Sequence, residues 1–164
     1  MDRFSEERLK LVHPRLARLI HQMAEMLTQE GITIRVTQGL RSWTEQLQLW
    51  LKGRDSDGNV IDKSKVVTKA PPGHSYHNFG LAVDVAPFIE NTPDWNLKHP
   101  VWKRIVEVGE SLGLTAGAEF RTFPDAPHFQ LTGKLPVSPN DTVRETFKDG
   151  GTFAVWDETG LEDV

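Results

Sequence analysis

Apolar residues recur at three- and four-residue spacing between residues 14 and 30, at Leu16, Leu19, Ile20, Met23, Met26 and Leu27. That period predicts an amphipathic helix. Pro14 suits its first position, His13 its cap and Gly31 its stop, and His21 falls on the solvated face. Ile32, Ile34 and Val36 alternate with polar residues and predict a strand. A second helix should start at Ser42, where Ser42 and Glu45 have capping-box spacing and Trp43, Leu47, Trp50 and Leu51 supply an apolar face. Leu81, Val83 and Val85 alternate with Ala82, Asp84 and Ala86, so a second strand carries Asp84 on the face opposite the Leu/Val set. Residues 100–112 predict a third helix through Val101, Trp102, Ile105, Val106, Val108 and Leu112, with His99 as its cap and Gly113 as its end. A short strand from His128 to Leu131, a Pro- and Asn-rich turn at 136–140 and a short helix near 141–148 follow. Val155 and Trp156 suggest a last edge strand.

These elements predict an α+β fold, a small antiparallel sheet flanked by helices. No internal repeat or linker divides the 164 residues, so a single domain over 1–164 is expected. Its core should span about residues 10–132. The tail at 134–164 should pack on that core, because Val143, Phe147, Phe153, Val155 and Trp156 are too apolar for a free segment. Residues 53–75 form a long loop closed by Pro71-Pro72-Gly73, and loops of this length inside a domain tend to be functional. Its run Asp55-Ser56-Asp57-Gly58-Asn59 resembles part of a calcium loop but lacks the closing Glu, so it reads as a turn.

Composition narrows the chemistry. There is no cysteine, which excludes disulfides and Cys-type zinc sites. Any metal must be held by carboxylates and the six histidines. A net charge of −4 argues against a nucleic-acid partner. No apolar run approaches a membrane span, and Met1–Pro14 has no signal-peptide core, so retention in the cytoplasm until release is the expectation. A monomer is expected.

The segment Ser75-Tyr76-His77-Asn78-Phe79-Gly80-Leu81-Ala82-Val83-Asp84 carries the strongest signal. It sets a His in a loop and an Asp seven residues later in a strand, with Gly80 free to make the turn between them. Ala82 keeps the Asp84 face uncrowded. A catalytic zinc takes three protein ligands and keeps one position open, so a third ligand must come from elsewhere. Asp125-Ala126-Pro127-His128-Phe129 supplies His128 at the start of a strand, with Asp125 close enough to act as general base.

The pattern S-x-H-x-x-G-x-A-x-D followed by D-x-P-H resembles the zinc peptidases related to D-Ala-D-Ala carboxypeptidases and dipeptidases. By average residue usage the first pattern alone arises by chance in on the order of 1 in 10,000 chains of this size, so coincidence is a poor account of both. The likeness is nearest to the L-alanyl-D-glutamate endopeptidases of phage lysins and their bacterial relatives. Val12-His13-Pro14, Thr37-Gln38-Gly39-Leu40-Arg41-Ser42, the set Gln46, Leu49, Trp50, Gly53 and Arg54, Val67-Thr68-Lys69-Ala70, Gly113-Leu114 and Phe123–Gln130 carry it. One stretch departs: Ala116-Gly117-Ala118-Glu119-Phe120 stands where relatives usually carry Trp-Gly-Gly-Asp-Trp.

The resemblance implies an endolysin: a zinc endopeptidase that cuts the L-Ala–D-Glu bond of the peptidoglycan stem, with His77, Asp84 and His128 as zinc ligands and Asp125 as general base. It implies that Arg41 projects toward the active site, where a guanidinium binds a substrate carboxylate or the oxyanion. The plainer alternative for Arg41 is a surface pair with Glu45. Ser75 is expected to support the loop or the substrate by hydrogen bonding, and His74 to be an outer or solvated residue. Asp125 could instead orient a ligand, with Glu119 the next candidate base. The competing functions are a D-Ala-D-Ala carboxypeptidase and a zinc-stabilised binding module without catalysis.

Overall fold

A computed structural model describes residues 1–120 and 124–162. Its helices are α1 (Arg3–Leu9), α2 (Pro14–Gln29), α3 (Trp43–Trp50), α4 (Pro100–Ser111) and α5 (Asp141–Thr159). Its strands are β1 (Ile34–Gln38), β2 (Ala82–Ile89), β3 (Thr92–Pro93), β4 (Thr115–Ala116) and β5 (His128–Gln130). The main sheet runs β1-β2-β5-β4, with β3 paired to the far end of β2, and every pairing is antiparallel. The α+β expectation therefore holds.

The caps explain where the helices begin. His13 Nδ1 accepts from the Arg15 amide at 3.1 Å, and His99 Nδ1 accepts from the Val101 amide at 3.2 Å. Ser42 and Glu45 close a full capping box on α3. The sheet then separates two apolar layers. On one face Val36, Val83, Val85 and Phe129 pack under Leu16, Ile20, Met23 and Leu27 of α2 and Ile105 and Val108 of α4. On the other, Tyr76, Phe79, Leu81 and Ala82 pack with Val143 and Val155 of α5. Asp84, opposite His128 in the register, lies on this second face by strand alternation.

Helix α1 was not foreseen. It covers the outer edge of β1: Ser5 Oγ accepts from the Val36 amide at 2.9 Å, and Arg8 Nη1 donates to the Val36 carbonyl at 3.1 Å. An otherwise open strand edge is thereby satisfied.

The expected edge strand at Val155–Trp156 is a correction: both residues are helical. Gly151, at φ 72° and ψ −162°, kinks α5, and the helix resumes beyond it to the left-handed Gly160. Trp156 Nε1 donates to the Phe79 carbonyl at 2.7 Å, which fixes the second half of α5 on the core. Asp55 makes the turn expected of it, accepting from the Asp57 and Asn59 amides at 3.0 and 2.8 Å.

A chain ending at Gly133 would strip Val143 and Val155 from the second layer. Burying two such side chains contributes about 3–6 kcal/mol, which in a chain of this size corresponds to a fall of roughly 6–24 °C in thermal midpoint. Equal heat stability of the truncated and full chains would contradict a tail that packs on the domain.

Candidate metal centre

His77 lies in a 3-10 turn, Tyr76–Phe79, that begins at Ser75 and ends at Gly80. Gly80 has φ 65°, the left-handed geometry that turns the chain directly into β2. The Ser75 hydroxyl accepts from the His77 amide at 3.4 Å, so it supports the turn from its place on the wall of the cleft. Asn78 braces the same turn, taking the Gly73 amide at 3.0 Å and donating to the Arg41 carbonyl at 3.0 Å.

The structure brings His77, Asp84 and His128 together as a group able to hold a metal ion. His77 Nε2 stands 3.0 Å from Asp84 Oδ1 and 3.2 Å from His128 Nδ1, and His128 Nδ1 is 3.5 Å from Asp84 Oδ1. Ligand atoms about 2.0–2.1 Å from a tetrahedral zinc stand roughly 3.3–3.4 Å from one another, which these separations bracket.

The outer atoms show what the centre wants. His77 Nδ1 is 2.8 Å from the Gly39 carbonyl, which can only accept, so Nδ1 carries a proton. Gln130 Nε2 donates to the Val137 carbonyl at 2.8 Å. Its Oε1 therefore faces His128 Nε2 at 3.0 Å and accepts from it. In the neutral imidazoles the two inner nitrogens then present lone pairs, beside a carboxylate oxygen that presents another. Three lone pairs facing one point are satisfied by a cation. The pKa directions show the same demand for positive charge. Burial pushes the His128 imidazole down, but the Asp84 carboxylate more than offsets it and raises the pKa. Burial pushes Asp84 up, yet the His77 and His128 imidazoles hold it below the usual carboxylate range.

Arg41 does not settle into a surface pair with Glu45. Its Nη2 lies 3.5 Å from Asp84 Oδ2, and its Nη1 donates to Gln46 Oε1 at 3.0 Å. Gln46 is fully buried and anchors in turn to the Ala70 carbonyl at 2.8 Å. Asp84 thus turns one oxygen to the centre and the other to Arg41. Asp125 hangs on a turn fixed by its amide to the Gly117 carbonyl at 2.8 Å and its carbonyl to the His128 amide at 3.1 Å. Burial, and then the charge of Asp84, raise its pKa, against the pull of His128, His77 and Arg41.

These groups line one cleft of about 360 Å³. His74 is exposed on its rim and is not one of the three metal-facing groups. Glu119 is exposed and lies outside the cleft lining, so it is not placed as a base. In the departing stretch, Phe120 keeps an aromatic ring 5.5 Å from the His128 ring. A Cβ at Gly117 would fall 2.6 Å from the Asp125 carbonyl oxygen and 2.7 Å from His128 Cβ, so only glycine lets this turn approach the centre. Phe123, part of the closing motif, lies outside the described residues.

Residues 9–113 match the family model for VanY, D-alanyl-D-alanine carboxypeptidase. The chain belongs to the VanY family. The match takes in His77 and Asp84 and stops before Asp125 and His128. Among relatives, the chain is 30% identical over 128 residues to the peptidoglycan L-alanyl-D-glutamate endopeptidase CwlK of Bacillus subtilis (strain 168), covering 73% of each. Among solved structures it is similar to the L-Ala D-Glu endopeptidase ChiX of Serratia marcescens, with 25% identity, TM-score 0.57 and 92% of each chain covered. It is also similar to the D,D-pentapeptidase VanY of a VanB-type resistance cassette, solved in complex with Zn(II). There the TM-score is 0.57 with 74% of this chain and 73% of that chain covered, and at 18% identity the likeness is one of fold. The metal-facing groups of this VanY-family chain were all named from its sequence. Gln130, Gly39 and Gln46 were not given roles, though Gln130 follows His128 by two residues on a strand and so shares its face.

Proposed function

We propose that this chain is a zinc endopeptidase that cleaves the L-Ala–D-Glu bond of the peptidoglycan stem peptide. The observation that carries the reading is the convergence of His77 Nε2, Asp84 Oδ1 and His128 Nδ1 at zinc spacing on the wall of a cleft that also holds Asp125 and Arg41. The bond is chosen from the activities of CwlK and ChiX, both L-Ala–D-Glu endopeptidases by name.

Zinc held by these three residues supplies Lewis-acid chemistry to a peptide carbonyl in the cleft. Asp125 takes a proton from the attacking water and passes it to the leaving amine. Arg41 stays charged and steadies Asp84 on one side, with the cleft on the other, where it meets a substrate carboxylate or the developing oxyanion. An endolysin role belongs to the same proposal and rests on the sequence resemblance.

The D,D-carboxypeptidase reading remains the alternative, favoured by the family model itself. Mass spectrometry of fragments released from purified peptidoglycan separates the two. New L-Ala carboxyl and D-Glu amino termini are expected, whereas release of free D-Ala without them would overturn the endopeptidase assignment. A binding module without catalysis would release nothing.

A further inference from the structure

The segment after β5 does more than cover the second apolar layer. Its Val137 carbonyl takes the Gln130 amide, and Gln130 in turn takes the outer N–H of His128. Gln130 is 3% exposed and its bond to His128 is buried, so that bond has little water to replace it. Register explains how a long side chain fits beside the centre. Gln130 stands directly opposite Ala82, as His128 stands opposite Asp84. A small residue opposite Gln130 leaves room on that face for the amide that orients His128.

We infer that Gln130 is a positioning residue that fixes His128 as an Nδ1 ligand and couples docking of the 134–139 segment to metal affinity. The segment is held independently just ahead of this contact. Tyr76 Oη donates to the Pro136 carbonyl, and the Lys134 amide donates to the Thr159 carbonyl at 2.8 Å. Val137, Ser138 and Pro139 then form part of the cleft wall. The same strap therefore shapes the substrate cleft on one side and holds the ligand's partner on the other. Coupling between two such events is reciprocal: whatever docking adds to zinc affinity, zinc adds to docking.

This inference rests on the zinc reading of the site, and the experiment keeps the two apart. Zinc affinity is measured by chelator competition in the parental chain, in Gln130→Met and in Gln130→Glu, with circular dichroism on each sample. Loss of an outer partner to a metal-ligating histidine typically costs roughly 10–100-fold in affinity, and that loss is expected in Gln130→Met. Gln130→Glu keeps an acceptor for His128 but loses the donor to Val137, and its zinc affinity is expected to fall between those of the parent and Gln130→Met. Parental affinity in a folded Gln130→Met chain would overturn the inference. No zinc binding in the parental chain would instead overturn the metal reading. Should Gln130→Met fail to fold, hydrogen exchange in the parental chain decides: added zinc is expected to slow exchange at residues 134–139, and in Gln130→Glu, which cannot donate to Val137, that protection is expected to shrink. Absence of zinc-dependent protection in the parent would sink the coupling.

Discussion

Replacing His77 with alanine is expected to abolish zinc binding and peptidoglycan cleavage together. The parental chain should carry close to one zinc by elemental analysis, and His77→Ala almost none. The loss should exceed the roughly 10–100-fold cost of removing an outer partner, because a ligand atom itself is gone. Two remaining donors leave zinc short of the three that a catalytic site uses. The same substitution also breaks the bond to the Gly39 carbonyl and takes an imidazole from beside Asp84. Some loss of stability therefore accompanies it, and the decisive comparison is with metal-free parental protein at a temperature where both are folded. Full cleavage by a folded His77→Ala chain would remove the centre from the mechanism.

What the sequence revealed divides by the range of the physics involved. Helices α2 and α4 and the capping box of α3 are written in neighbouring residues, and their caps fell where His13, Ser42 and His99 placed them. Helix α1 offers only Ser5 and Leu9 as buried positions within seven residues, and its reason for forming is a distant strand edge at Val36. The end of α5 misled for a related reason. Val155-Trp156 reads as a strand, but Gly151 only kinks the helix, and the bond from Trp156 to Phe79 joins residues 77 apart in the chain. In the site, the seven-residue spacing of His77 and Asp84 and the motif around His128 were legible. The turn of Arg41 toward the site came only from the family resemblance, whereas its brace on buried Gln46 and the link from Gln130 to Val137 depend on how the chain packs and were not read.

Asp125→Asn tests the chemistry rather than the metal. A residue that helps hold zinc costs zinc when it is changed, whereas a general base costs turnover while zinc stays bound. Asparagine keeps the size of the side chain and removes its basicity. The backbone bonds of Asp125 to Gly117 and His128 do not depend on the carboxylate, so the turn should persist. The carboxylate itself lines the cleft near Asp84, whose negative charge helps raise its pKa. Removing one of two neighbouring negative charges weakens attraction for a cation somewhat, so a modest change in zinc affinity is compatible with the base role. Cleavage by the zinc-loaded variant is expected to be at least about a hundredfold slower, the low end for losing acid–base catalysis. A purely orienting role predicts weak zinc binding and activity restored by added zinc, so zinc content and rate must be read on one sample. Near-parental turnover in the loaded variant would dismiss Asp125 as the base. Glu119, exposed and off the cleft lining, could not replace it without movement of its segment.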